Sequence, residues 1–327
     1  MINILIAILG FLLIVTLVQV VRVSELLSEI KNQDANEVTF QDNKIQSRTL
    51  GIVGFLFLAS CVWQYFEWKH VILPPASSEH GAIIDSLMAV TVILITIVFF
   101  ITQIALFYFG FKYRKDSDNE TAFFYSHNNK LEMFWTVIPA IVLTGVILYG
   151  LNVWNKINNT DTSNASVIEL YAKQFGWEAR YAGEDGKLGD AYFKYVNGPN
   201  TLGVNLDDQF SMDDIQTKEV HLVVGKPVLL KMRSQDVIHS AFLPHFRVQM
   251  NCVPGMTTQF AFTPTKTTKQ MKEEEGEDFE YVLLCNKICG AAHYNMQMKF
   301  IVEEAEEYNT WIKNQETIKD RLLTQNN

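Results

Sequence analysis

The sequence predicts a membrane-anchored all-β fold, with transmembrane α-helices in the N-terminal half and a β-sandwich or barrel after them. Three observations carry the prediction. Long uncharged apolar runs stop near Trp154. From Asn155 onward the apolar residues come in short alternating or β-branched runs, and turn signals such as Gly183-Glu-Asp-Gly186, Asn197-Gly-Pro-Asn200 and Val253-Pro-Gly255 separate them. Whole-chain averages hide this division. Of 327 residues 48% are hydrophobic and 19% charged, fewer than the roughly 25% charged of soluble domains, and 12% aromatic residues exclude a disordered chain.

The longest apolar run, Ser86 to Phe111, exceeds the ~20 residues that cross a bilayer. A second runs from Met133 to Trp154 with Pro139 in its early turns, where proline is tolerated or kinks the helix. Two more come first, Ile2 to Val21 and Leu50 to Trp68, the latter interrupted by Glu67. The first has no basic stretch before it and no small-residue cleavage site after it, so it reads as a retained span and not a signal peptide. Arg22, Lys31, Lys44 and Arg48 lie between the first two spans, and Lys112, Arg114, Lys115 and Lys130 between the last two. Only Lys69 lies between the second and third. The positive-inside rule makes the basic loops cytoplasmic, which leaves both chain ends and the C-terminal half outside.

In that half, VIELYAKQF, VHLVVG, VLLKMRS, QFAFTP, EYVLLC and MKFIVEE read as strands, Ala182 to Lys218 as a long surface excursion, and Ala305 to Leu323 as a closing helix. The net charge of -9 without a basic stripe excludes a nucleic-acid partner. It divides as -3 up to Trp154 and -6 beyond.

The densest chemistry is Cys285-Asn-Lys-Ile-Cys289-Gly-Ala-Ala-His293-Tyr-Asn-Met296, between two strands, with His239 at the end of an earlier strand. Soft thiolate, imidazole and thioether donors select copper or zinc over hard cations. Two Cys and two His also suit a structural zinc, and a Cys-x3-Cys pair alone also fits buried thiols or a local disulfide. Met296, by itself more often a core residue, favours copper, because zinc makes little use of a thioether. No Cys-x-x-Cys-His haem signature occurs, so the chain is expected to bind no haem.

Asp236-Val-Ile-His239-Ser, Val253-Pro-Gly255 and Cys285-x3-Cys289-x3-His293-x2-Met296 resemble, in order and spacing, the dinuclear copper site of cytochrome c oxidase subunit II. Glu132-Met-Phe-Trp135-Thr-Val-Ile-Pro139 resembles the start of that family's second helix, and the likeness covers roughly Ser86 to Trp311. It implies a cupredoxin-like β-domain. It further implies residues 1–84 as an additional helix pair, 85–154 as the family's transmembrane hairpin, and 155–327 as the copper (CuA) domain with its C-terminal helix. By the resemblance, Cys285 and Cys289 bridge two coppers, His239 and His293 each ligate one, and Met296 and the Lys287 main-chain carbonyl complete the set.

The implied activity is acceptance of electrons from cytochrome c or a c-type haem domain. They pass to the haem of subunit I for oxygen reduction to water, coupled to proton translocation. Implied partners are subunit I with its haem and CuB, other oxidase subunits, membrane lipid and a larger respiratory supercomplex, in a bacterial plasma membrane with the copper domain periplasmic. Glu132 would mark the mouth of a proton path. Phe175, in Gln174-Phe-Gly-Trp177, stands where the family often has the Trp that contacts cytochrome c, and Trp177 reads as structural. Lys287, Asn251 and Met256 replace the family's usual Glu, Asp and Arg, so magnesium ligation at the subunit I contact has no carboxylate support from this chain. A nitric oxide reductase copper subunit and a membrane-tethered copper-binding protein are the alternatives. His245 reads as a surface or interface residue and Cys252 as a core thiol. The acidic run Glu273 to Glu280 reads as a solvated loop, with steering of a basic donor as the sharper expectation.

Overall fold

The structure, a computed structural model, describes residues 2–30, 38–117, 119–121 and 123–325. Lys31, one of the charges that orient the spans, lies outside the described residues. The chain forms two compact units, Met1–Lys69 with Ile95–Asn129, and His70–Leu94 with Lys130–Asn327.

Four long helices carry the apolar runs: α1 (Ile2–Ile30), α2 (Phe40–Ile72), α3 (Glu79–Lys112) and α4 (Asn129–Asn158). Each is long and apolar enough to cross a membrane. They overrun the expected spans at one or both ends, because hydropathy marks only the part that suits hydrocarbon and the helix continues into polar sequence. Thr39 caps α2, its hydroxyl accepting from the Asp42 amide at 3.2 Å. In the first unit, α2 and the second half of α3 approach through glycines. A Cβ on Gly54 would enter the Phe107 ring, and one on Gly110 would lie 2.6 Å from the Leu50 side chain. Small residues that admit a neighbour's bulk are how helices associate where no hydrophobic gradient drives them. Pro139 sits inside α4, which continues through it.

The second unit contains two five-stranded sheets. One runs in the order β3 (Ile215–Thr217), β2 (Gly176–Tyr181), β1 (Ser166–Lys173), β5 (Val228–Ser234), β8 (Thr258–Phe262). The other is β4 (Val220–Val223), β10 (Gln297–Glu303), β9 (Tyr281–Cys285), β6 (His239–Leu243), β7 (Val248–Cys252). Strands β1 and β5, and β4 and β10, run parallel, and the other pairs are antiparallel. Alternation sets the core: Ile168, Leu170 and Ala172 of β1 and Leu230 and Met232 of β5 join the same buried cluster as Leu283 and Phe300. This is a cupredoxin-like sandwich.

The other face of β1, Glu169 and Tyr171, is also buried, which alternation alone does not predict. The excursion between β2 and β3 lies over it. Leu202 and Val204 are buried against Tyr171 and Ile318, so this segment is a packed cover and not a free surface loop. Beneath it, Arg180 donates to Glu169 at 2.8 Å and to Asp214 at 2.7 Å, and Arg233 donates to Glu169 at 2.5 Å. Buried charge is tolerated because each group meets an opposite one.

Other expectations also change. The acidic run is partly helical: Thr267 and Gln270 form a capping box that starts α5 (Thr268–Glu275). The closing helix is two helices, α6 (Ala305–Lys313) and α7 (Ile318–Gln325), because Thr317 and Asp320 cap a new start. His239 opens β6 and does not end β5. The strands GWEARY, HSAFL and VQMNC, absent from the expected set, supply β2, β6 and β7.

Candidate metal centre

Pairing brings the ligand candidates together. β6 lies beside β9 with Ala241 opposite Cys285, so His239, two residues before Ala241, arrives at the sheet end where β9 delivers Cys285. The chain then loops through residues 286–296 and returns as β10. A single 3-10 turn, His293–Asn295, turns the loop back.

The donor atoms converge. Cys285 Sγ lies 3.9 Å from Cys289 Sγ, 3.7 Å from His239 Nδ1 and 3.3 Å from the Lys287 carbonyl oxygen. Cys289 Sγ lies 3.6 Å from His293 Nδ1 and 3.9 Å from Met296 Sδ. His239, Cys285 and Cys289 alone place their ligand atoms within 4.8 Å of one another. All six sequence-predicted donors therefore meet in one cluster, arranged around a pair of sulfurs. Such a set fits two soft metal ions bridged by two thiolates better than one tetrahedral zinc, which has no use for six donors.

This geometry agrees with the comparisons. The family model for the transmembrane domain of cytochrome c oxidase subunit II matches residues 57–153, and that for its periplasmic domain matches residues 167–305. An alternative cytochrome c oxidase subunit 2 from Bradyrhizobium diazoefficiens is 34% identical over 223 residues, 67% of this chain and 76% of that protein. The chain belongs to the cytochrome c oxidase subunit II family. The cytochrome c oxidase subunit 2 of Thermostichus vulcanus is 24% identical over 274 residues, 76% of this chain and 80% of that protein. Among solved structures, the periplasmic domain of subunit II of cytochrome oxidase (CoxB) of Bradyrhizobium japonicum has a TM-score of 0.31 at 24% identity, covering 45% of this chain and 91% of that one.

As a subunit II, the protein is the point at which electrons enter a haem-copper oxidase, an oxidoreductase complex that it forms with subunit I and other subunits. It is membrane-anchored, with a periplasmic C-terminal domain. The family implies CuA copper, and the His/Cys/Cys cluster is where this chain offers donors for it.

The surroundings add residues that sequence reasoning had not assigned a task. Asp236 Oδ1 lies 2.8 Å from His239 Nε2 and accepts from the Val237 amide at 2.7 Å, while Oδ2 accepts from the Gln174 amide at 2.7 Å. A proton held on Nε2 leaves the Nδ1 lone pair directed at Cys285. The Gln174 side chain donates to the Cys289 carbonyl. The signal was present in Asp236-x-x-His239, but its partner Gln174 is 62 residues away and visible only after folding.

Phe175 and Trp177 separate by burial. Trp177 is buried, with its indole N–H 3.4 Å from the Met296 carbonyl and its ring 6.2 Å from that of His239, so it walls the cluster. Phe175 is 42% exposed and packs over Gly290, whose φ of +140° and lack of a Cβ admit the ring. Ile288 and Tyr294 are exposed on the same loop. Glu132 stands apart, in the first turn of α4, about 40 Å along that helix from its C-terminal end.

Burial, together with the nearby Cys285, pushes the Cys289 thiol up to about 11, so a bound cation is what makes it a thiolate. Burial pushes Cys252 up to about 12; it is a fully buried thiol inside the apolar core, in keeping with the sequence reading. His245, read as a surface or interface residue, is half-buried, with its ring 5.0 Å from Phe279 and 5.6 Å from Tyr281, and burial lowers its affinity for a proton.

Proposed function

We propose that the cluster holds dinuclear copper (CuA), which the Cys285 and Cys289 sulfurs, the His239 and His293 imidazoles, the Met296 thioether and the Lys287 carbonyl would hold. The single observation that carries this reading is the pair of sulfurs 3.9 Å apart, with the other donors grouped around them. When bound, copper would supply one-electron chemistry at this cluster. The donor is cytochrome c or a c-type haem domain. The acceptor is the haem of subunit I, where oxygen is reduced to water with proton translocation across a bacterial plasma membrane.

The chain's own residues supply orientation and insulation. Asp236 fixes the His239 ring, and Gln174 ties the tip of the β1–β2 hairpin to the Cys289 carbonyl. Trp177 and the buried Met296 exclude water from the inner side. A site so held changes shape little between oxidation states, which suits rapid relay. Phe175, at the surface over Gly290, is the contact through which electrons reach the cluster. Glu132, at the start of α4, is the entrance of a proton path into subunit I. Residues 1–84 are the additional helix pair, 85–154 the hairpin and 155–327 the copper domain. Lys287 and Asn251 offer no carboxylate to a magnesium ion at the subunit I contact.

Metal analysis of the purified complex tests the reading. Two coppers per chain, a thiolate-to-copper charge-transfer band and reduction of that band by a c-type cytochrome are expected. A single zinc, or copper that no haem donor reduces, would refute it.

A further inference from the structure

The chain between α2 and α3 is built into the edge of the β-domain. Its Ser77 amide donates to the His245 carbonyl at 2.7 Å and the Glu79 amide to the Thr263 carbonyl at 3.1 Å, while the Thr265 amide donates to the Ser77 carbonyl at 2.8 Å. The Ser78 hydroxyl donates to the Phe246 carbonyl at 2.7 Å. Ser77 and Ser78 are buried, and Pro74 and Pro75 before them are fixed in φ, so this strap is held across the β6–β7 turn and the end of β8.

One guanidinium gathers the strap. Arg247, in the turn between β6 and β7, donates to both oxygens of Asp85 at 2.8 and 2.9 Å, and to the Pro74 and Pro244 carbonyls, each at 2.6 Å. Asp85 lies in the first two turns of α3 and Pro74 in the chain leaving α2, so a single side chain ties both to the β-domain. A planar fork on a carboxylate fixes direction as well as distance. The Arg247 side chain is 9% exposed, so little water competes for these bonds. Gly81 lets α3 come this close, because a Cβ there would lie 2.8 Å from the Ser78 hydroxyl and 3.2 Å from the Arg247 side chain. Arg247 is also the one non-glycine residue with a positive φ, +55°, among the described residues. Glycine is the residue that conformation favours, so the arginine's contacts offset a backbone preference against it.

The clamp reaches the metal cluster through one strand. β6 starts at His239 and ends at Leu243, which puts the clamped turn about 16 Å from His239 by strand rise. β7 returns from that turn to Cys252, which pairs with His239. A rotation of the hairpin about its turn therefore displaces the cluster. The covalent link from α4 to β1, residues 159–165, is a short irregular segment that limits reach and not orientation.

We propose, on the electron-transfer reading above, that Arg247 is a positioning residue. With Asp85 and the strap it fixes the orientation of the β-domain on the start of α3, and so the distance from the copper cluster to its acceptor, the haem of subunit I. Electron tunnelling weakens exponentially with distance, so a domain free to pivot passes electrons on more slowly from an unaltered metal site.

The test uses the purified complex with Arg247→Gly, which suits the positive φ, and separately Asp85→Ala. A photoexcited ruthenium complex injects one electron into the copper cluster, and haem reduction is followed by absorbance. Arg247→Gly is expected to slow haem reduction about tenfold and Asp85→Ala about threefold, because the Pro74 contact survives in the second. Copper content, the thiolate-to-copper band, the reduction potential of the cluster and the subunit composition should match the wild type. An unchanged rate in both variants overturns the proposal and leaves the copper reading standing. So does a slower rate accompanied by a shifted potential or a lost subunit, because Arg247 would then shape the metal site or hold the complex together. A wild-type complex without copper, or one whose reduced copper passes no electron to the haem, overturns the electron-transfer reading itself.

Discussion

Replacing Asp236 separates orientation of the proposed copper ligand His239 from ligation itself. Its Oδ1 meets His239 Nε2 at 2.8 Å, while its two oxygens also accept the Val237 and Gln174 amides at 2.7 Å. A hydrogen bond to a charged group is worth about 1.5–3 kcal/mol, and a neutral one roughly half of that. Asp236→Asn keeps an acceptor but no charge, so it should weaken copper binding by about 1–1.4 kcal/mol, close to tenfold. Asp236→Ala removes the acceptor, leaves two amides unpartnered and frees the ring, which should cost about a hundredfold, the upper end for loss of a ligand's hydrogen-bond partner. Competition against a chelator of known copper affinity, followed by the thiolate-to-copper band, measures both. The expected order is wild type, Asn, Ala. Three affinities within twofold of one another, or an Asn variant as weak as the Ala variant, would refute the orienting role.

Gly290→Ala forces a Cβ to 2.8 Å from the Phe175 ring at a φ of +140°. A stability loss of about 1–3 kcal/mol in chemical denaturation, together with slower reduction by the donor, is expected. Arg180→Leu leaves Asp214 buried without its guanidinium and Glu169 with Arg233 alone, and should destabilise the protein by about 3–5 kcal/mol. Adding Asp214→Asn should recover part of that loss, and no recovery would show that the two charges are not coupled. Burial pushes Asp214 up to about 7, so between about pH 4 and 7 the folded protein holds a proton that the unfolded chain has released. Stability therefore falls as pH rises through that window, by at most about 1.4 kcal/mol per unit, and levels off above it. Asp214→Asn should lack this component, and identical pH slopes in denaturant melts would refute it. Glu132→Gln should slow turnover and reduction of the haem site with copper content unchanged, and unaffected turnover would end its assignment to a proton path.

The parts legible in the sequence are those fixed by neighbours along the chain. Apolar length marked all four helices that are long and apolar enough to cross a membrane, and loop lysines and arginines gave the expectation that the C-terminal half lies outside, since both depend only on transfer of side chains between water and lipid. The candidate ligand loop was readable because five of the six candidate donors lie within twelve residues, and His239 stood out by its Asp-Val-Ile-His context. The helix starts at Thr267 and Thr317 were also written locally, as capping boxes.

Tertiary structure decided what depends on residues far apart in sequence. Strand register placed His239 beside Cys285, and the hairpin tip brought Gln174 and Phe175 onto the loop that carries Cys289 from 115 residues away. Glu169, Arg180 and Arg233 look in sequence like the solvent face of alternating strands. They are buried because the excursion folds over them, and only its packing makes an ion network of them. The sequence by itself thus determined a membrane anchor, a β-domain and a set of soft donors, because hydropathy and ligand chemistry are properties of single residues. Which side chains orient those donors was decided by packing.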